Sequence, residues 1–250
     1  MSNVVISNLV GVCLVVALVF LVAERVFPAR RLPTVPGWWT RVVIVNLIQA
    51  GLVIAGGYLW DPFFAGLRID VGMKAVRSWS PIVGGAFGYF VLSFVYYWWH
   101  RWRHRVPLFW RWLHQMHHTP SRIETITSFY KHPFEILTNT VLTSFTLYIV
   151  IGVYPKQATW AVFFLAVAEY CYHVNIRTPH WLGYFIQRPE THRLHHQRGV
   201  HAFNYSDLPI WDILFGTYRN PVDQPEECGL GLENEIRLAA LLKGEALEDS

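Results

Sequence analysis

Residues 96–118 read YYWWHRWRHRVPLFWRWLHQMHH, an aromatic and apolar run that gives way to five histidines. His100 and His104 form an H-x3-H pair, and His114, His117 and His118 form an H-x2-H-H box. The same box recurs as His192, His195 and His196 in HRLHH. On a helix, positions i, i+3 and i+4 share one face, so each box is predicted to aim two or three imidazoles at a common point. Neutral imidazole suits iron, zinc and copper. A single histidine beside an apolar run is ordinarily a surface residue. Here all 12 histidines lie at or after residue 100, and eight of them fall into the three boxes. The spacing therefore points to metal ligation by these eight.

Outward from this stretch, composition sets the class. The 250 residues are 53% hydrophobic and 16% aromatic, with a positive mean hydropathy, and the apolar residues collect in long uncharged runs. That pattern predicts an all-α integral membrane protein with four to five transmembrane helices and a cytoplasmic helical cap carrying a histidine-rich two-metal site. Spans are expected at Val4 to Ala23, Val42 to Leu59, Ile82 to Trp99 and Ile136 to Val153. Ala158 to Tyr172 is either a fifth span or half of a re-entrant hairpin. The first run has no basic residues before it and ends in Glu24 and Arg25, so it reads as a permanent anchor and not a signal peptide. Asn46 and Gln49 are expected to face inward. Gly84, Gly85 and Gly88 read as close helix packing, because no strand precedes them to make a phosphate loop. Trp60 to Ser80 reads as a connector between spans.

The net charge of +4 is concentrated. Arg101, Arg103, Arg105 and Arg111 follow the third span, a surface expected to face anionic lipid headgroups and not nucleic acid. Arg25, Arg30, Arg31 and Arg41 flank the first loop, so the positive-inside rule places the N-terminus outside and the boxes in the cytoplasm. Cys13, Cys171 and Cys228 are too few and scattered for a disulfide framework or a Cys-x2-Cys zinc site.

Eight imidazoles exceed the three or four protein ligands of a zinc site and fit two metals with open positions. The Glu-x-x-His repeat of soluble di-iron bundles and the His-Glu-x-x-His protease signature are both missing. The segments HRWRH, HQMHH, HPFE at 132–135, HVN at 173–175, HRLHH and NYSDLPIWDILFGTY at 204–218 resemble, in order, the fatty acid hydroxylase and sterol desaturase superfamily of membrane di-iron oxygenases. The resemblance runs from about His100 to Tyr218 and divides the chain into an N-terminal helical region (1–80), a catalytic region (81–220) and a polar tail (221–250). It implies two iron ions held by the eight box histidines, with His173 and also His132 completing the shells.

His173 has support of its own. Glu169 lies four residues earlier on the same presumed helix, where its carboxylate could hold the second ring nitrogen. The proline after His132 makes helix capping the competing role. Asn175 is carried by the resemblance as an outer residue of the site. Asp207 and Asp212 read equally as outer-shell carboxylates or as turn and cap residues. Arg188, Arg193 and Arg198 are expected to face headgroups or brace the cap. Phe129, Tyr130, Trp181, Tyr184, Phe185 and Phe203 are candidate lining for a lipid channel. His180 and His201 fit no position of the pattern.

The activity implied is hydroxylation of an unactivated C–H bond of a fatty acyl, alkyl or sterol-like lipid, using dioxygen and two external electrons. No nucleotide-binding glycine motif or haem domain is evident, so the partners expected are a lipid substrate, the bilayer and a separate reductase or small electron-transfer protein, with no nucleic acid. A desaturase or sterol methyl oxidase with the same site is one alternative, and a non-catalytic metal-binding or metal-transport protein is another. The location expected is a bacterial inner membrane, or the endoplasmic reticulum if the source is eukaryotic.

Overall fold

A computed structural model describes residues 3–67 and 74–247, with side chains from residue 11 onward and, after the gap, from residue 75. It is helical throughout, and the described residues include no strand beyond an isolated bridge between Gln197 and Cys228. The long elements are α1 (Asn3–Val26), α2 (Trp38–Leu67), α4 (Pro81–Arg105), α7 (Pro133–Ser144) and α8 (Pro155–His173), with α3 (Lys74–Arg77) a single turn between α2 and α4. Short elements make the cap: α5 (Pro107–Phe109), α6 (Gln115–His118), α9 (Pro189–His195), α10 (Pro209–Leu214), α11 (Leu232–Glu235) and α12 (Leu238–Leu242).

Among the described residues, three helices are long and apolar enough to cross a membrane: Trp38–Leu67, Pro81–Arg105 and Pro133–Ile151, the last formed by α7 and the wide π-turn that continues it. The expected first span forms the 24-residue α1, although the side chains of its first eight residues lie outside the described set. From residue 11 onward it exposes Leu14, Val15, Leu18, Val19 and Val22, the face a lipid-contacting helix presents. The 19-residue α8 does not meet the same apolar standard. The expected break at Leu59 is not found: α2 runs on through Pro62 to Leu67, as proline is tolerated in apolar helices of this kind.

Prolines set the helix starts. Pro81, Pro133 and Pro155 each occupy a first-turn position, where the missing N–H costs nothing. Ser80 caps α4 by accepting from the Val83 N–H, and the His132 ring caps α7 by accepting from Phe134 N–H. The α4–α8 seam is built on the expected glycines. A Cβ on Gly84 would stand 2.3 Å from the Gln157 side chain, and one on Gly85 2.3 Å from Trp160 Cβ, so only glycine lets the backbones approach this closely. Gln49 is buried and donates to the Lys131 carbonyl, and Asn46 donates to the Ile126 carbonyl at 3.1 Å, so both face inward.

The tail, polar in composition, is nevertheless part of the packed fold. Ala240, Leu241 and Leu247 pack with Val35, Trp38, Val42, Met116 and Tyr130 in one buried cluster. Within the tail, α11 and α12 are separated by Ile236 and Arg237. Its apolar side turns inward, where Gln115 donates to the Glu245 carbonyl at 2.8 Å. A second cluster, with Leu92, Leu147, Tyr148, Ile151, Ala158 and Ala161, fills the space between α4, α7 and α8.

Candidate metal centre

The end of α4 delivers His100 and His104, and the chain then turns at Pro107 into a π-helical turn, Trp110–His114, that leads to α6. Such widened turns recur at functional sites because they rotate side chains out of regular helical register. The last residue of α8 is His173, and α9 with its cap residue carries His192, His195 and His196. These four segments converge on two groups of imidazoles. One holds His100, His104, His114, His118 and His195; the other holds His117, His173, His192 and His196. Within each group all potential ligand atoms lie within 4.8 Å of one another.

The boxes do not each point at one place, as their spacing had suggested. In each, the i and i+4 histidines enter one group and the i+3 histidine enters the other: His114 and His118 against His117, and His192 and His196 against His195. The two groups are thereby interleaved, with the His118 and His196 rings stacked at 4.1 Å across the divide.

The spacing of the nitrogens suits metal. His192 Nε2 lies 3.1 Å from His173 Nε2 and 3.0 Å from His196 Nε2, and His118 Nε2 lies 3.2 Å from His114 Nε2. With metal–nitrogen bonds of about 2.0–2.1 Å, adjacent ligands of a tetrahedral or octahedral ion sit about 3.0–3.4 Å apart. A shared proton could join one such pair, but not a ring of them. His100 Nε2, His104 Nε2 and His195 Nε2 are also buried without a hydrogen-bond partner among the described residues. Cations would relieve this concentration of lone pairs. Burial, reinforced by neighbouring histidines, holds His114, His117, His118, His192 and His196 well below their ordinary pKa, and burial takes His195 down to about 3. All six are neutral at pH 7, the form that binds metal.

Outer contacts fix the ring orientations. Nδ1 of His100 donates to the Tyr205 carbonyl at 2.7 Å, His195 to the Phe203 carbonyl at 2.8 Å and His173 to the Glu169 carbonyl at 2.8 Å. Each leaves Nε2 for a metal. The Glu169 carboxylate is not the close partner expected: it is 3.8 Å from His173 and pairs with Lys131 at 2.7 Å. The carbonyl four residues back already meets the ring, which leaves the side chain free for the buried lysine. Asp212 acts one step removed. Its two oxygens accept from the Tyr205 and Ser206 N–H groups at 2.8 and 2.9 Å and from Thr217 at 2.7 Å, fixing the loop that carries the Tyr205 carbonyl. Asn175 ties the turn after α8 to Arg193 (2.9 Å) and to the Arg30 carbonyl (2.9 Å), and its own N–H donates to Glu24.

His132 lies outside both groups, where its ring caps α7 and approaches the Leu242 carbonyl. His201 stands nearer than expected, with its Nδ1 3.2 Å from His118 Nδ1, while His180 meets the Asn220 carbonyl at the surface. Arg103, read from sequence as a headgroup contact, is instead buried and ion-paired with Glu135. Glu135 also receives His114 Nδ1 at 3.3 Å. Arg188 and Arg193 are likewise buried braces: Arg188 reaches Thr178, Glu190 and Asn220, and Arg193 reaches Ile123 and Asn175. Glu135 stands in the HPFE motif but was given no role there, although a lone carboxylate in the first turn of an apolar helix is a usable signal.

Fold and site together define an apolar helical protein with a two-centre histidine site at the end of its long helices. The fatty acid hydroxylase profile matches residues 85–217, just over half of the sequence, and the chain belongs to that family, within the superfamily that includes the sterol desaturases. It is 29% identical over 142 residues to the sphingolipid C4-hydroxylase sur2 of Schizosaccharomyces pombe, covering 54% of this chain and 47% of that protein. It is 29% identical over 168 residues to the human alkylglycerol monooxygenase, covering 64% and 34%. With the ornithine lipid hydroxylase OlsE of Rhizobium tropici it shares 27% identity over 165 residues, covering 64% and 48%. The chain thus matches about half or less of the length of these relatives. No solved structure matches.

Proposed function

We propose that this chain is a membrane-bound oxygenase that hydroxylates an unactivated C–H bond of a lipid at a two-iron centre held by nine histidines. The observation that carries the reading is the interleaving of His100, His104, His114, His118 and His195 with His117, His173, His192 and His196. Ligand sets of five and four leave room for oxygen at two adjacent octahedral ions, and neutral nitrogen donors suit iron. The relatives named for their chemistry act on sphingolipid, alkylglycerol and ornithine lipid, which makes a lipid the common substrate class.

When bound, the two irons would supply reduction of dioxygen and removal of hydrogen from a carbon too weakly acidic for any side chain to deprotonate. The residues of the chain hold and orient. Carbonyls of Glu169, Phe203 and Tyr205 fix three imidazoles, and Glu135 with Arg103 fixes a fourth. The buried setting keeps bulk water from the reacting carbon. Two electrons per turnover come from a separate reductase or small electron-transfer protein. The basic flanks of the spans support boxes facing the cytoplasm.

Desaturation or sterol methyl oxidation at the same site is the nearest alternative. Metal transport is disfavoured because the histidines gather at the end of α4 and in the cap, where they form no path along the long helices. The test is lipid analysis of cells expressing the protein under 18O2. A lipid gaining one labelled hydroxyl, lost in a His195→Ala variant, supports hydroxylation. A new double bond without label supports the desaturase, and an unchanged lipidome with bound iron overturns both.

A further inference from the structure

Beside the metal centre, α4 and α8 flank a half-open cavity of about 280 Å³. Ala86 and Tyr89 line it from α4, and Phe164 and Ala168 from α8, with Tyr172, Gln187 and Asp207 completing the wall. Along α8 the lining extends from Phe164 to Tyr172, about 12 Å at 1.5 Å per residue. Tyr172 is also the boundary with the metal centre, its ring 4.4 Å from that of His192. None of the aromatics expected to line a channel contributes to this wall.

Most of the wall is apolar, yet Asp207 is only 9% exposed and its Oδ2 is buried with no hydrogen-bond partner among the described residues. The nearby Tyr172 hydroxyl is within influence of both the Asp207 and Glu169 carboxylates, and one O–H cannot serve two acceptors. Gln187 donates to the Asn204 carbonyl and makes no hydrogen bond to Oδ2. An acceptor left unpaired at an apolar wall costs free energy that a ligand with a matching donor recovers.

We propose that this cavity seats the substrate's polar end, and that Asp207 selects a lipid bearing an uncharged hydrogen-bond donor, a hydroxyl or amide N–H, over a bare alkyl chain or a lipid ending in an anion. The donor hydrogen-bonds the Asp207 carboxylate, the chain lies along the α4–α8 seam, and the carbons next to the donor come to rest beside Tyr172 and so nearest the histidines. An alkane leaves the acceptor unpaired, and a carboxylate or phosphate meets a like charge in a desolvated wall. The cavity lies just below the usual size range of small-molecule sites, so it accommodates one end of a lipid and not the whole of it. Burial, reinforced by the nearby Glu169 carboxylate, raises the Asp207 carboxyl to about 7. This inference rests on the lipid-oxygenase reading for its substrate, but its test does not depend on turnover.

At about pH 8.5, where the Asp207 carboxyl is ionised, detergent-purified, iron-loaded full-length protein is titrated with tritiated hexadecan-1-ol in a scintillation proximity assay, with hexadecane and palmitate as competitors. Wild type is expected to prefer the alcohol by about tenfold to a hundredfold in Kd, the range for one hydrogen bond to a charged acceptor. Asp207→Leu should bind all three within about threefold, and Asp207→Asn should keep the preference over hexadecane while losing the exclusion of palmitate. Ala168→Phe, which fills the cavity, should weaken the alcohol about tenfold. Equal affinities in wild type, or a full alcohol preference in Asp207→Leu, would overturn the proposal. If Asp207→Leu fails to retain iron, Asp207→Asn decides: admission of palmitate supports the proposal, and undiminished exclusion overturns it. Absence of iron in wild type with lipid selectivity intact would instead count against the oxygenase reading alone.

Discussion

Replacing Glu135 with alanine is expected to lower both stability and metal affinity, and a compensated double variant separates the two. The Arg103 and Glu135 side chains are 5% and 0% exposed, and the carboxylate is shared between the Arg103 guanidinium and His114 Nδ1 at 3.3 Å. Deleting one member of a buried pair strands the other's charge, at a cost of about 3–5 kcal/mol. His114 also loses the acceptor that sets its orientation, and removing such a partner ordinarily lowers metal affinity about 10–100-fold. The double variant Arg103→Met, Glu135→Leu removes both charges and fills the space, so it should recover stability to within about 1 kcal/mol of wild type. It should not recover metal affinity, because His114 still lacks its acceptor. Unfolding in a mixed-micelle denaturant series gives the first quantity, and iron competition against a chelator gives the second. A Glu135→Ala protein that loses less than about 1 kcal/mol, or a double variant with wild-type iron affinity, would refute this assignment.

Other consequences follow from single positions. Gly85→Ala places a Cβ 2.3 Å from Trp160 Cβ and 2.9 Å from the Gln157 carbonyl, so α4 and α8 must part at a cost of about 1–3 kcal/mol, read as a lower Tm. Asp212→Asn keeps the shape but turns an amide NH2 toward groups that already donate. It should cost about 1–3 kcal/mol and weaken iron binding through the displaced Tyr205 carbonyl, both measurable on the same preparation. Asp207 sets a pH dependence. Its folded pKa of about 7 lies above the ordinary carboxylate value, so its contribution to stability is complete below pH ~4 and is lost as pH rises through 7. At pH 8 the loss amounts to at most about 4 kcal/mol. Asp207→Asn, neutral throughout, should therefore narrow the difference in Tm between pH 5 and pH 8.

Much of this architecture was legible in the chain. Apolar run lengths located α2, α4 and α7, and Gly84, Gly85 and Gly88 announced the α4–α8 seam because no other residue lets helices approach so closely. Eight of the nine grouped histidines were readable from box spacing and His173 from the family resemblance, whereas the glutamate one turn earlier turned out to pair with Lys131. How each box divides was not readable: regular helical geometry puts i, i+3 and i+4 on one face, and only the packing of α6 and α9 around a shared centre sends His117 and His195 across to the other group. Backbone carbonyls such as those of Tyr205 and Phe203 leave no mark in side-chain chemistry, so their role depends on the loop conformation. Arg103 was misread for a related reason. Its neighbours Arg101 and Arg105 suggested a solvated face, but the partner that draws it inward, Glu135, is 32 residues away. The tail was underestimated because Leu241 and Leu247 are embedded in a polar, acidic composition, and burial depends on the apolar pocket formed by Trp38 and Tyr130.

Each of the two interleaved histidine groups is expected to hold an iron. Metal analysis and Mössbauer spectroscopy of the detergent-purified protein expressed with iron-57 decide this, alongside His195→Ala, which opens one group, and His117→Ala, which opens the other. Wild type should carry two irons per chain in a magnetically coupled pair, with the coupling lost and no more than about one tightly held iron left in each variant. A single zinc or no bound metal in metal-replete wild type, or two uncoupled irons indifferent to both substitutions, would rule out a paired iron site.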